Sequence, residues 1–209
     1  MGVRIETVIV RPKRQHLFGA SAAQNDMKEL SEKFDRLVGS NLVVVFDFSD
    51  ASSISGSYLR ATIGWSLNCG RMHAEGATRS DFSDPWSLRP IAIYPVVAAK
   101  ARETVWEIHD FLKHRDMTCL LVNPEEEPPY NEVQILGSLD EFLLLTMHKI
   151  SVMGSASAQS LKDASNDNIT VGGWSNRLTA LLAYRMVLRE KIRKTWKYET
   201  LGKEQKPWD

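Results

Sequence analysis

Two stretches of this chain place polar side chains in patterns that suit recognition. The first is Trp174-Ser-Asn-Arg177, just ahead of Leu178, Leu181 and Leu182. Those leucines recur at the spacing of a buried helical stripe. The four preceding residues therefore fall at the N-terminal end of a helix. Asn pairs bidentately with adenine and Arg with guanine. A Ser hydroxyl and free helix-start amides suit a phosphate oxygen. Downstream, Arg185–Lys197 carries six basic residues (Arg185, Arg189, Lys191, Arg193, Lys194, Lys197) and one acid, Glu190. A basic run in a chain of zero net charge suggests a surface facing a polyanion. A solvated charged ribbon accounts for it equally well. Trp174 and Trp196 also read as core aromatics, and Asn176 as a helix-start hydrogen bonder.

The second stretch is Val45-Phe-Asp-Phe-Ser-Asp-Ala-Ser-Ser-Ile-Ser-Gly-Ser-Tyr58. An apolar run ends in acids, then a Ser/Gly-rich turn leads into a helix pattern. Ser55 or Ser57 can cap that helix, and the amides around Gly56 favour an anion or a phosphorylated side chain. Asp47 and Asp50 flank the strand end, where α/β folds often hold catalytic groups. They lack the further acids that would complete a metal shell. The histidines (His16, His73, His109, His114, His148) are scattered, without HxxxH or HExxH spacing. No phosphate-binding GxxxxGK[ST] loop or GxSxG elbow occurs. The expectation is a protein without catalytic activity, metal or cofactor; a hydrolase using Asp47 and Asp50 is the remaining enzymatic alternative.

The 209 residues, 43% of them hydrophobic, suffice for one large domain or two small ones. Cys69 and Cys119 lie far apart in apolar stretches and read as reduced, buried thiols of a cytoplasmic protein. No apolar run approaches the roughly 20 residues that cross a bilayer, and the N-terminus shows no secretory signal. Residues from Gly137 onward carry 11 basic and 8 acidic side chains; those before carry 15 and 18.

The elements that would position these residues follow from periodicity. Val3–Val10, Leu42–Phe48, Ile91–Val97 and Thr118–Val122 read as strands. Pro95 argues that its strand is an edge or a strand end. Ser21–Leu37, Tyr58–Cys69 and Ala101–His114 read as amphipathic helices, and Gly70–Pro90 as a long loop. Strand and helix alternate, so an α/β layered domain is expected over residues 1–122. Asn123-Pro-Glu-Glu-Glu-Pro-Pro-Tyr130 opens a semi-stiff acidic linker over 123–136. Three helix patterns then follow (Leu139–Ile150 with Ser138 or Asp140 as cap, Ser157–Ala164, Thr170–Met186). Strand-like Val187–Lys191 and Thr195–Thr200 complete a unit over 137–201, and 202–209 is left as a tail.

The order helix, helix, helix, strand, turn, strand, with the Trp174-Ser-Asn-Arg-Leu start and the run Val187–Tyr198, resembles winged helix-turn-helix transcription regulators. Many of those carry Gly before the first wing strand, where this chain has Tyr184-Arg-Met186. The resemblance implies binding to double-stranded DNA through Trp174, Ser175, Asn176, Arg177, Arg189, Lys191, Arg193, Lys194 and Lys197. Asp47, Phe48, Ile54, Ser55, Ser57 and Tyr58 in turn resemble the STAS-like family, relatives of anti-sigma-factor antagonists. That resemblance implies an N-terminal module that dimerises or docks a protein partner. It also implies a kinase-modified serine, Ser55 or Ser57, although Arg60 stands where an acid is common. The combined expectation is an α/β STAS-like domain fused to an α+β winged helix-turn-helix, working as a duplex-DNA-binding regulator. The alternative is a DNA-recognition or scaffold subunit of a larger assembly, such as a prokaryotic defence complex with an ATPase partner.

Overall fold

Alternation of apolar side chains along the strands decides how this chain layers. In β3 (Asn41–Asp47), Leu42, Val44 and Phe46 enter one core while Val43 and Val45 enter another. A strand apolar on both faces has to be covered on both faces, and every part of the architecture answers that need. The computed structural model describes residues 5–28, 30, 41–68 and 92–208. Phe34, Leu37, Cys69, His73 and the expected loop Gly70–Pro90 lie outside those residues.

The chain is a mixed α/β protein around a parallel-rich sheet of six strands. β1 (Ile5–Val10), β3, β5 (Ala92–Ala98) and β6 (Thr118–Leu121) run parallel and lie side by side in chain order. β7 (Tyr130–Gly137) joins β6 antiparallel, and β10 (Gly202–Pro207) joins β7 parallel as the far edge. A short pair, β2 (His16–Leu17) with β4 (Ser53–Ile54), sits beside the sheet.

The crossovers α1 (Ala20–Asp26), α2 (Gly56–Leu59, continued by a π-helical stretch Arg60–Gly64) and α3 (Arg102–Lys113) pack on the first face. Crossovers that step in one direction across a sheet place their helices on one side. Tyr58, Leu59, Ile63, Ile108 and Leu112 fill that core against Leu42, Val44 and Phe46. The second face is covered by α4 (Glu141–Met153), α5 (Ala158–Ala164), α6 (Val171–Ala183) and the hairpin of β8 (Val187–Ile192) with β9 (Thr195–Thr200). Met147, Ile150, Leu161, Trp174, Leu178 and Leu181 share one core with Val43, Val45, Tyr94, Val96 and Leu120.

Local sequence explains the helix starts. Asp140 accepts from the Phe142 amide at 2.8 Å, so it rather than Ser138 caps α4. Ser157 and Ser160 form a reciprocal capping box on α5. Thr170 accepts from the Gly173 amide at 3.1 Å on α6.

Three expectations need correction. The segment 123–136 is not a linker throughout, because most of β7 lies in it, with Tyr130, Val133, Ile135 and Leu136 buried. Residues 202–209 are not a loose tail, because β10 pairs with β7 from Gly202↔Tyr130 to Pro207↔Ile135. The chain thus returns to the sheet after the hairpin, and the two expected units share a sheet and a core. Third, Pro95 lies in an interior strand. The β5–β6 ladder begins only at Val96↔Leu120, and the Pro95 carbonyl accepts from Cys119 Sγ at 3.1 Å, so the ring stands where pairing to β6 has not started.

Since β10 closes the sheet, deleting residues 202–209 is expected to lower the unfolding free energy by about 2 kcal/mol or more. Urea titration followed by circular dichroism checks this; an unchanged midpoint would restore the reading of a loose tail.

Candidate nucleic-acid interface

α6 is amphipathic in a way that decides the role of each candidate. Trp174, Leu178, Leu181 and Leu182 are buried; Val171, Gly172, Ser175, Asn176 and Thr179 are exposed. Trp174, at 0% exposure, therefore belongs to the core, and its placement among contact residues is corrected. Its spacing of four and seven to Leu178 and Leu181 sets it on the buried stripe. Ser175 and Asn176 project from the first turns of α6 as expected. Arg177 is half-buried, with its guanidinium 5.1 Å from the Phe142 ring centre and 5.2 Å from that of Trp174. It seals the seam between α4 and α6 and keeps partial access to solvent. No acidic side chain occurs within α6.

The position of α6 is fixed from below. Lys149 on α4 bonds Ser165 at 2.8 Å and Asp167 at 3.1 Å, and its ammonium lies 5.6 Å from the Trp174 ring centre. Ala156, between α4 and α5, exchanges backbone hydrogen bonds of 2.9 and 2.8 Å with Tyr198 on β9. The helices and the hairpin are thereby held in one frame.

Cross-strand partners share a face of a hairpin. Arg189 pairs with Tyr198 and Lys191 with Trp196, so these four lie on one face; Glu190 pairs with Lys197 and Leu188 with Glu199 on the other. The guanidinium of Arg189 lies 4.2 Å from the centre of the Trp196 ring, and the Lys191 ammonium 5.5 Å. Trp196 is exposed, and its ring braces both cations. Arg193 and Lys194 form the exposed two-residue turn, Arg193 in the left-handed region at φ 57°. Both acids of the hairpin, Glu190 and Glu199, lie on the opposite face. Burial, reinforced by the Glu190 charge, raises the Glu199 carboxyl above its usual range. Lys197 is half-buried and faces Glu190, so it belongs to the mixed-charge face rather than to the cationic one. Arg185, counted in the basic run, is buried and contributes nothing to the exposed face.

The second candidate resolves differently. Ser55 is the N-cap of α2: its Oγ accepts from the Tyr58 amide at 3.3 Å and from the Gly19 amide at 3.4 Å, and lies 3.0 Å from Ser57 Oγ. Ser57 is exposed and next to exposed Gly56. The two hydroxyls thus differ: one is committed to structure, the other is open to solvent. Tyr58 points the other way, into the core, and donates to Asp26 at 2.7 Å.

The carboxylate of Asp47 is committed as well. Arg11 reaches its Oδ2 with two nitrogens, at 2.7 and 2.6 Å, and the Ser49 amide donates to Oδ1 at 3.0 Å. Burial alone would raise its pKa; the bonds from Ser49 and Arg11 outweigh that and hold it below the usual carboxylate range. Asp50 is exposed. Among the described residues no three His, Cys, Asp or Glu side chains gather as a metal site. Cys119 is a free, buried thiol whose pKa burial pushes up to about 12. No helix among the described residues is long and apolar enough to cross a membrane.

Compared with protein-family models, with curated proteins and with solved structures, the chain matches none of them. The residues and their geometry alone carry the functional reading.

Loss of the Ser55 cap in Ser55→Ala is expected to cost about 1 kcal/mol of stability, against a few tenths for Ser57→Ala. Chemical denaturation of the two variants checks the order; equal effects would remove the structural distinction between the hydroxyls.

Proposed function

We propose that this protein is a duplex-DNA-binding regulator. In this reading α4, α5, α6 and the β8–β9 hairpin form a winged helix-turn-helix, with α6 as the recognition helix. The bridge of Ala156 to Tyr198 supports it, since it adds a short third strand to the hairpin between the first two helices. The observation that carries the reading is the exposed, acid-free start of α6 in the same frame as a hairpin that has Arg189 and Lys191 on a face without acids and Arg193 and Lys194 at its turn.

In this arrangement Ser175 and Asn176 meet base edges in the major groove, with Asn176 suited to adenine. Thr179 extends the same exposed face one turn further. Arg193, Lys194, Arg189 and Lys191 meet phosphates, which sets affinity and its salt dependence rather than sequence preference. Arg177 braces the helix seam and offers its remaining donors at the rim. The α/β body is the STAS-like half of the reading, a module that dimerises or docks a partner protein, with Ser57 as its exposed hydroxyl. Dimerisation would place two α6 helices on half-sites about one DNA turn apart.

A mobility-shift titration over a range of salt tests this. The double variant Arg193→Glu, Lys194→Glu is expected to weaken binding to all duplexes and to flatten the slope of log affinity against log salt by about two. Asn176→Ala is expected to reduce the preference among sequences by about 1–3 kcal/mol. Wild-type protein that fails to shift duplex DNA at low salt would overturn the proposal.

A further inference from the structure

Arg185 is the most anomalous charged group in the fold. It stands two residues past the end of α6, in the left-handed region at φ 62°, and is 3% exposed. No carboxylate among the described residues forms an ion pair with it. Its neighbours are Tyr94 on β5, whose ring centre lies 5.8 Å from the guanidinium carbon, and the second cation Arg189. Nε and Nη2 are both shut off from solvent without a hydrogen-bond partner. These two nitrogens form one edge of the guanidinium, the edge that takes two oxygens of a single oxyanion side by side. A buried cation without a counter-charge is strongly unfavourable. Burial disfavours its protonated form; the Tyr94 hydroxyl, hydrogen-bonded to it, works the other way, and Arg189 adds to the effect of burial.

We propose that Arg185 and Tyr94 form a binding site for a phosphate or phosphate-monoester oxyanion between the sheet and the hairpin. The unpartnered Nε–Nη2 edge, once uncovered, supplies two parallel hydrogen bonds. The Tyr94 hydroxyl and the Arg189 charge lie beside it, and two guanidinium charges favour a dianion over a single carboxylate. Arg185 is two residues ahead of Val187, where β8 begins, so a bound anion ties the start of the hairpin to β5. Entry requires the hairpin to shift against the sheet, which slows association. The site shares Arg189 with the DNA reading, but its fork is Arg185, which that reading does not use, and it is tested without DNA.

The test compares thermal unfolding in potassium phosphate and in potassium chloride at matched ionic strength. Wild type is expected to show a saturable rise in Tm with phosphate and none with chloride. Arg193→Glu, Lys194→Glu is expected to keep that rise, and Arg185→Gln to lose it. A rise that persists in Arg185→Gln, or vanishes with the exposed turn cations, overturns the site. Should Arg185→Gln fail to fold, the arginine Nε–H resonances of the wild type decide. One slowly exchanging resonance shifting saturably with phosphate supports the site, and none shifting overturns it. Glucose 6-phosphate and inorganic phosphate, run in parallel, separate a monoester ligand from the free ion.

Discussion

A sheet that is apolar on both faces is the constraint on which this structure depends. Leu42, Val44 and Phe46 demand one cover, and Val43, Val45, Tyr94 and Val96 demand another. The crossover helices satisfy the first. They cannot reach the second, because crossovers stepping in one direction stay on one side. The chain therefore has to supply α4, α5, α6 and the hairpin as a second layer, and then return through β10 to close the edge. The frame that presents α6 to solvent is itself part of the hydrophobic core.

That sharing has a functional consequence. A recognition helix carried on a free linker adopts many orientations relative to the rest of the chain. Here Trp174 and Leu178 lie in the same core as Val43 and Val45, so α6 is oriented by the sheet. In the proposed regulator, whatever the α/β body binds is registered directly in the position of α6 and the hairpin. Arg185 lies on that route, between β5 and the start of β8. An oxyanion there would act on the junction rather than on the DNA-facing surface.

Much of this was legible from periodicity. The β3 run, the α3 stripe and the order of three helices and a hairpin all appear in the sequence with boundaries close to those observed. Two strands of the six-stranded sheet, β7 and β10, did not appear, nor did the short pair β2 and β4. In β7 the apolar residues follow three prolines and an acidic run, and that punctuation outweighs the pattern of Val133, Ile135 and Leu136. β10, Gly202-Lys-Glu-Gln-Lys-Pro207, is an edge strand with a charged exterior, the usual protection of a sheet edge, and it carries no apolar alternation to read. Trp174 was misassigned through its residue type, although its spacing to Leu178 already placed it on the buried stripe. Charge counting failed at Arg185, since composition does not distinguish a solvated cation from a buried one.

In the proposed regulator the start of α6 and the turn of the hairpin together form one DNA-facing surface. Hydrogen–deuterium exchange of the whole protein, with and without a duplex at low salt, tests this most directly. Protection is expected in residues 170–179 and 189–197, with little change along the crossover helices α1 and α3. Protection confined to the α/β body, with those two segments unchanged, would contradict it.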